Sequence, residues 1–326
     1  MLADIDTVRA LISQNRHLVL AGDEAVLRKL PAGNWMGGTI PYFMTTEGGT
    51  VRRDRVFVTE VPAVGRSARI SVYDEEDIRR IGVDSPEHGY TILILPAFTR
   101  LHRQFAVESP HYDQQFFKVV GGWIAGTHLE DIGHVVPKVF LGPTREALES
   151  KGVAMHVELP PEYQARLGIV NIFEQGDGEA IQFPESGFVA RECIVRGQRE
   201  NILDFVGRTG LDLRLPLVSD CCGTRFNVSI QAADIARRQL SFYAPVFEGV
   251  TYRAAKPIDN YPQRFMAGIP TDLGQPVFAC NCLLNYLHGQ LEGRRTGGGF
   301  GPMTFGEIAY QVLNQTMVYI TVDKRR

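Results

Sequence analysis

The sequence has no apolar run approaching the ~20 residues that a membrane-crossing helix requires. Its longest candidate, Thr91 to Phe98, is strand-sized. Positive charge is not in excess: 34 Lys and Arg face 37 Asp and Glu, for a formal net charge of −3. That balance argues against a nucleic-acid binder, which carries a concentrated basic face. Cysteine is sparse, and the five present form no short-spaced framework. Free thiols in a reducing compartment are expected rather than disulfides. The opening MLADIDTVRA places acids where a signal peptide is basic, and no long apolar core follows. A cytoplasmic location is therefore the expectation, without a membrane or nucleic-acid partner.

Several chemistry-bearing patterns are absent. There is no G-x-x-x-x-G-K-[ST] phosphate loop, no strand–G-x-G-x-x-G–helix unit, no H-E-x-x-H, no G-x-S-x-G elbow and no kinase set. His128 and His134 bracket Glu130 and Asp131, but not at the spacing of a known metal motif, so no metal site is assigned.

The rest reads as an ordinary globular chain of 326 residues, 44% hydrophobic and 22% charged. Ile5, Val8, Leu11 and Ile12 fall at helical spacing, and Asp23 can cap a helix carrying Val26 and Leu27. Thr91 to Leu95 is continuous and β-branched, as in a strand covered on both faces. Phe98 to Phe105 and Tyr112 to Phe117 are expected to be helices. Glu146 to Ser150 is expected to end another, and Arg199 to Arg208 to form one stopped by Gly210. Strands outnumber helices without regular interleaving, which predicts an α+β fold of two mixed or antiparallel sheet-rich lobes with peripheral helices. The boundary is placed near residue 205, giving halves 1–205 and 206–326.

Candidate site residues concentrate near the C-terminus. Cys280 and Cys282 flank Asn281, and in a strand both thiols share a face. They read as buried hydrophobes, as pocket thiols, or with Cys221 and Cys222 as zinc ligands at poor chelating spacing. Asp220 raises rather than lowers the pKa of an adjacent thiol. Gly297, Gly298, Gly299 and Gly301 read as a lid or hairpin, with Arg294 and Arg295 able to meet an anion. Glu307 follows Gly306. It is either an inward acid, paired or functional, or the N-terminal acid of a helix at Ile308 to Leu313. Asn314 and Thr316 can bond backbone or ligand. Gly37-Gly38-Thr39 is a bulge or a close approach of backbone to ligand.

The C-terminal half resembles the FIST C-terminal domain at three places. They are Tyr252 to Phe265 with Ala255 and Pro257, the apolar strand Val277 to Asn281, and the glycine–phenylalanine–Gly-Glu segment Gly299 to Thr316. Gly37-Gly38-Thr39, Gly48-Gly49 and the strand Arg55 to Val61 resemble the FIST N-terminal domain. Where the family commonly has Gly-Arg soon after its Cys, Cys280 is followed by Asn281, Cys282, Leu283 and Leu284, as in a divergent stand-alone branch. The resemblance implies a sensory, signal-transducing protein that binds a small molecule and passes its output to a separate signalling protein. Haem binding by some relatives leaves only His288 to consider here, and the cofactor is unassigned. The expected ligand site lies between the halves, lined by Cys280, Asn281, Glu307, Asn314, Gly37, Gly38 and Thr39. Two other readings stand beside it. One is a cysteine-dependent enzyme using Cys221, Cys222 or Cys280 with Glu307 as acid or base. The other is a non-catalytic scaffold, and homo-oligomers are compatible with each reading.

Overall fold

The computed structural model describes residues 1–62, 64–221, 223–270 and 276–325, with Cys221 described by its backbone alone. The fold is α+β. Three six-stranded sheets carry the architecture. The first joins the N-terminal strands to Val139–Leu141 and Glu146–Leu148. The second has Gly89–Pro96 at its centre, parallel to Val120–Ala125 and antiparallel to Gly152–Glu158. Its β-branched run is buried along nearly its whole length, as expected for a strand covered on both faces. The third sheet runs Tyr163–Val170, Met317–Lys324, Phe278–Cys282, Gly301–Thr304, Tyr42–Thr45 and Gly48–Val51.

The third sheet mixes strands from both sides of residue 205, and Glu307–Ala309 joins the second sheet beside Val120–Ala125. A cut at 205 falls inside the helix Ile202–Thr209. The hydrophobic clusters divide the chain differently. One separate core draws only on residues between Ile181 and Tyr252, including Phe183, Phe205, Leu240 and Phe242. The lobe is thus an insertion into the chain, and residues after Tyr252 return to the body. Strand pairing, which is non-local, decides this division, and sequence order does not reveal it.

Local signals account for many elements. Asp4 caps the helix Ile5–Ser13 by accepting from Thr7 N–H, and Asp23 caps Glu24–Leu27 through Ala25 N–H. The helix Ile202–Thr209 ends at Gly210 with φ 65°, a left-handed stop that suits glycine. Other expectations are corrected. Tyr112 to Phe117 is not an α-helix; Gln114 takes φ 63°, which interrupts helical geometry. Glu146–Leu148 is a strand paired with Val139–Leu141, because an open sheet edge was available to it.

A buried polar chain crosses the second sheet. Ser85 Oγ donates to Ile81 O, so the Ser85–Thr91 contact at 2.8 Å is donated by Thr91. Thr91 Oγ1 then accepts from His156 Nδ1–H at 2.9 Å. His156 Nε2, unprotonated, shares the Tyr73 hydroxyl with Asp84 Oδ2, at 3.0 and 3.1 Å. Burial and the nearby Arg69 push the imidazole pKa down to about 4. In the unfolded chain the ring takes a proton near pH 6.5, earlier than in the fold. The His156 contribution to stability is thus lost as pH falls from about 6.5 towards about 4. His156→Gln should flatten the acid-side decline in urea-unfolding free energy over that window. An unchanged slope would mean the ring does not titrate as described.

Candidate functional site

Three strands of two sheets end at one place. Pro96 closes the strand Gly89–Pro96, Cys282 closes Phe278–Cys282 and Thr304 closes Gly301–Thr304. At the first two ends the chain turns directly into a helix, Arg100–Glu108 and Leu283–His288. Carboxyl ends of strands followed by helices leave a crevice, a common position for ligands. Here the crevice is a cavity of about 340 Å³. From the body it is lined by Ala97, Phe98, His102, Arg103, Leu129, Ile132, Cys282, Leu283, Leu284, Leu287, Thr304, Phe305 and Asn314. The inserted lobe supplies Phe188, Val189, Gln231, Ser241, Phe242 and Tyr243.

The turn into the first helix is tightly specified. Thr99 Oγ1 donates to Pro96 O and accepts from His102 N–H, at 2.9 and 3.1 Å. Phe98 between them takes φ 66°, a left-handed conformation that a bulky residue avoids. Such strain concentrates at functional sites, at a cost of roughly 1–3 kcal/mol. The ring is 55% exposed and meets Phe305 edge to face at 5.9 Å. His102 turns inward beside Leu101 and Phe105 and packs edge to face on Phe188 at 5.9 Å. Both its ring nitrogens are buried and have no hydrogen-bond partner. Burial, helped by Arg103, lowers its pKa to about 4, so the ring is neutral near pH 7.

Asn314 also lines the cavity. The backbone N–H of Ser229 donates to Asn314 Oδ1 at 3.0 Å, and the single proton of its hydroxyl lies within reach of both Asn314 Oδ1, at 2.6 Å, and Gln315 Oε1. An N–H can only donate, so the atom facing Ser229 must be the amide oxygen. Nδ2 is then directed elsewhere, is buried, and finds no partner. Its residue is 1% exposed, and a buried unpaired donor is costly, about 1–3 kcal/mol.

Next to Asn314, Thr316 donates from Oγ1 and N to Glu307 Oε2, at 2.7 and 3.2 Å. Glu307 is fully buried, and its Oε1 has no partner. Burial dominates and pushes its carboxyl up to about 8, against the bonds from Thr316. The same burial, with Glu307 as the second cause, holds the Cys280 and Cys282 thiols well above their ordinary range. Neither thiol is an activated nucleophile in this state. Glu307 does not begin a helix: Glu307–Ala309 and Gln311–Leu313 form a hairpin around Tyr310, which has φ 66°.

The C-terminal site residues predicted from sequence are therefore neighbours, with different roles. Asn314 lines the cavity. Glu307 and Asn281 lie behind it; Asn281 Oδ1 accepts from Asn285 Nδ2 at 2.8 Å. Cys280 donates to Gly122 O at 3.2 Å, so it is a packed core thiol. The cavity thiol is instead Cys282. Gly37, Gly38 and Thr39 are elsewhere, in the strand Trp35–Thr39. A Cβ on Gly38 would sit 2.6 Å from Trp123 Cη2 and 2.8 Å from Ile94 Cγ2, and one on Gly37 2.6 Å from Leu20 O. Those glycines admit protein packing rather than a ligand. Thr39 exchanges bonds with Lys138 and borders a different cavity with Glu24 and Asp131. His288 is exposed and tilts against Tyr261. Cys222 and the Cys221 side chain lie outside the described residues.

The model of a family of unknown function, DUF6976, matches residues 3–323. The chain belongs to DUF6976. No curated protein matches it, and no solved structure does. The match spans the body, the inserted lobe and every residue of the cavity between them. The cavity of this DUF6976 member is also lined by His102, Arg103, Phe98 and Phe188, none of them among the site residues expected from sequence. A signal existed for one of them: His102 interrupts an otherwise apolar helix face of Leu101, Phe105 and Ala106.

Two variants separate packing from site chemistry. Gly38→Ala should cost about 1–3 kcal/mol in chemical denaturation through overpacking against Trp123. Glu307→Gln replaces a neutral acid with a neutral amide. The native carboxyl binds its proton more tightly than the unfolded one, so the stability this gives is fully present below about pH 4.5 and lost as pH rises through about 8. The variant should therefore be more stable than wild type at alkaline pH, by about 1–3 kcal/mol. Equal slopes of stability against pH for the two proteins would show that Glu307 is ionised in the fold.

Proposed function

We propose that this chain is a small-molecule-binding protein whose site is the cavity between the inserted lobe and the strand ends of the body. The observation that carries this reading is that two residues lining the cavity hold buried polar atoms without partners. The Asn314 amide nitrogen and both nitrogens of His102 have none, while most of the wall around them is apolar. Buried polar groups in a folded protein are nearly always satisfied, and unsatisfied ones in a pocket are the anchors a ligand completes. The volume falls at the low end of the range for small-ligand pockets, which run to about 300–1,000 Å³. The resemblance to FIST domains supports a sensory role with output through a separate signalling protein.

Binding is favoured over thiol catalysis on one ground. Cys282, the thiol in the cavity, is held protonated by burial and by Glu307, and no cation offsets that. No helix among the described residues is long and apolar enough to cross a membrane.

Native mass spectrometry of freshly purified protein tests the proposal. Wild type should carry a small-molecule adduct, or acquire one from a fragment mixture. Leu284→Trp, which fills the cavity, should lose it while keeping the wild-type circular dichroism spectrum. Adducts retained in the filled variant, or none with either protein, would contradict the assignment.

A further inference from the structure

The charge arrangement of the cavity narrows the class of ligand. Its lining contains no acidic side chain and a single formally charged one, Arg103. Arg103 projects from the exposed side of the helix Arg100–Glu108, with its guanidinium 5.9 Å over the Phe188 ring. Among the described residues that guanidinium has neither an ion-pair nor a hydrogen-bond partner. Many other surface arginines do have one: Arg79 pairs with Glu108 and Arg80 with Asp84, both close by. Arg103 is thus an uncompensated cation, held by a ring at the mouth of an apolar cavity. Its neighbour His102, uncharged, lines the same cavity and holds one buried, unpartnered N–H.

The buried end has another character. Asn314 Nδ2 is a free donor, and Thr304 and Cys282 beside it are neutral. The one proton of Thr304 Oγ1 is already engaged within the protein, between Asn281 O and Gly306 O. The inner end therefore accommodates an uncharged acceptor and gives no compensation for a second charge. Between the two ends lie Phe188, Phe242, Phe305, Leu284 and Leu287.

Resting on the binding site described above, we infer that the ligand is an apolar or aromatic monocarboxylate. Its carboxylate is held at the mouth by Arg103 and the His102 N–H, and an uncharged hydrogen-bond acceptor at its far end meets Asn314. A guanidinium supplies paired donors matched to a carboxylate, and a lone positive charge at the entrance also draws anions in. Phosphomonoesters are the competing anions, and their larger charge needs more than one cation.

The test uses isothermal titration near neutral pH with the full chain. The probes are 4-acetylbenzoate, 4-phenylbutyrate and octanoate, the primary amide of each, and phenyl phosphate. At least one acid should bind more tightly than its amide by roughly ten- to hundredfold, the worth of a hydrogen-bonded charge pair. Arg103→Gln should abolish that preference and leave the amide affinity unchanged. Among the acids, 4-acetylbenzoate should lose affinity in Asn314→Asp, which keeps the acceptor for Ser229 and removes the free donor. Amides binding as well as acids, or phenyl phosphate binding best, would overturn the ligand class while leaving the cavity as a site. Binding of no probe, or acid binding that persists in the cavity-filled Leu284→Trp, would overturn the ligand class and remove the site itself.

Discussion

Everything in the arrangement of lobe and body turns on how Asn314, Gln315 and Thr316 bury their polar groups. Asn314 Oδ1 accepts from the Ser229 N–H of the inserted lobe, and the Ser229 hydroxyl is shared between Asn314 Oδ1 and Gln315 Oε1. Thr316 binds the Glu307 carboxyl, and its carbonyl accepts from Cys282 N–H and Asn285 Nδ2, at 3.0 and 3.1 Å. Gln315 between them takes φ 51°, so the chain reverses its hydrogen-bonding direction within three residues. A buried network of this kind must be satisfied almost completely, since each unpaired member costs about 1–3 kcal/mol. That condition fixes the register of the final strand and the position of the lobe together. Two groups are left over, Asn314 Nδ2 and Glu307 Oε1.

The cavity is a consequence of this fastening. The lobe has its own apolar core, and Val218, Leu215, Phe226 and Phe188 of the same segment pack against the body's cores, so the cavity is the part of the junction that these contacts leave open. Strand ends supply the floor, and the strained Phe98 turn supplies the rim. Burial then sets the electrostatics: His102 is neutral, Glu307 holds its proton towards neutral pH, and the thiols stay protonated. An interior that suppresses every ionisable group suits recognition of an uncharged portion of a ligand. Charge is left to the mouth, where water still screens it and the desolvation cost is small.

Much of the local structure could be read from the chain. Capping residues and apolar spacing located the helices beginning after Asp4 and Asp23, and β-branched content located Gly89–Pro96. Continuity with the C-terminus was also legible: Asn281, Glu307 and Asn314 are close in space because a parallel strand pair and a hairpin gather them. What could not be read was non-local. Gly37 and Gly38 look alike in sequence whether ligand or protein lies against them, and only the packing shows Leu20 against the first and Trp123 against the second. The alternation of Cys280 and Cys282 put both thiols on one face, but strand termination separates them into a core thiol and a cavity thiol. The lobe boundary failed for a similar reason, since Gly301–Thr304, Glu307–Ala309 and Met317–Lys324 pair with strands more than a hundred positions earlier.

The central claim is that Asn314 fastens the lobe with its oxygen and offers its nitrogen to the cavity. The side-chain amide of Asn314, followed by ¹⁵N nuclear magnetic resonance as 4-acetylbenzoate is added, addresses both halves at once. The account predicts a slowly exchanging Asn314 NH₂ pair, held in place by Ser229, whose shifts move strongly on addition. A rapidly exchanging pair, or shifts that stay fixed while the probe binds, would contradict it.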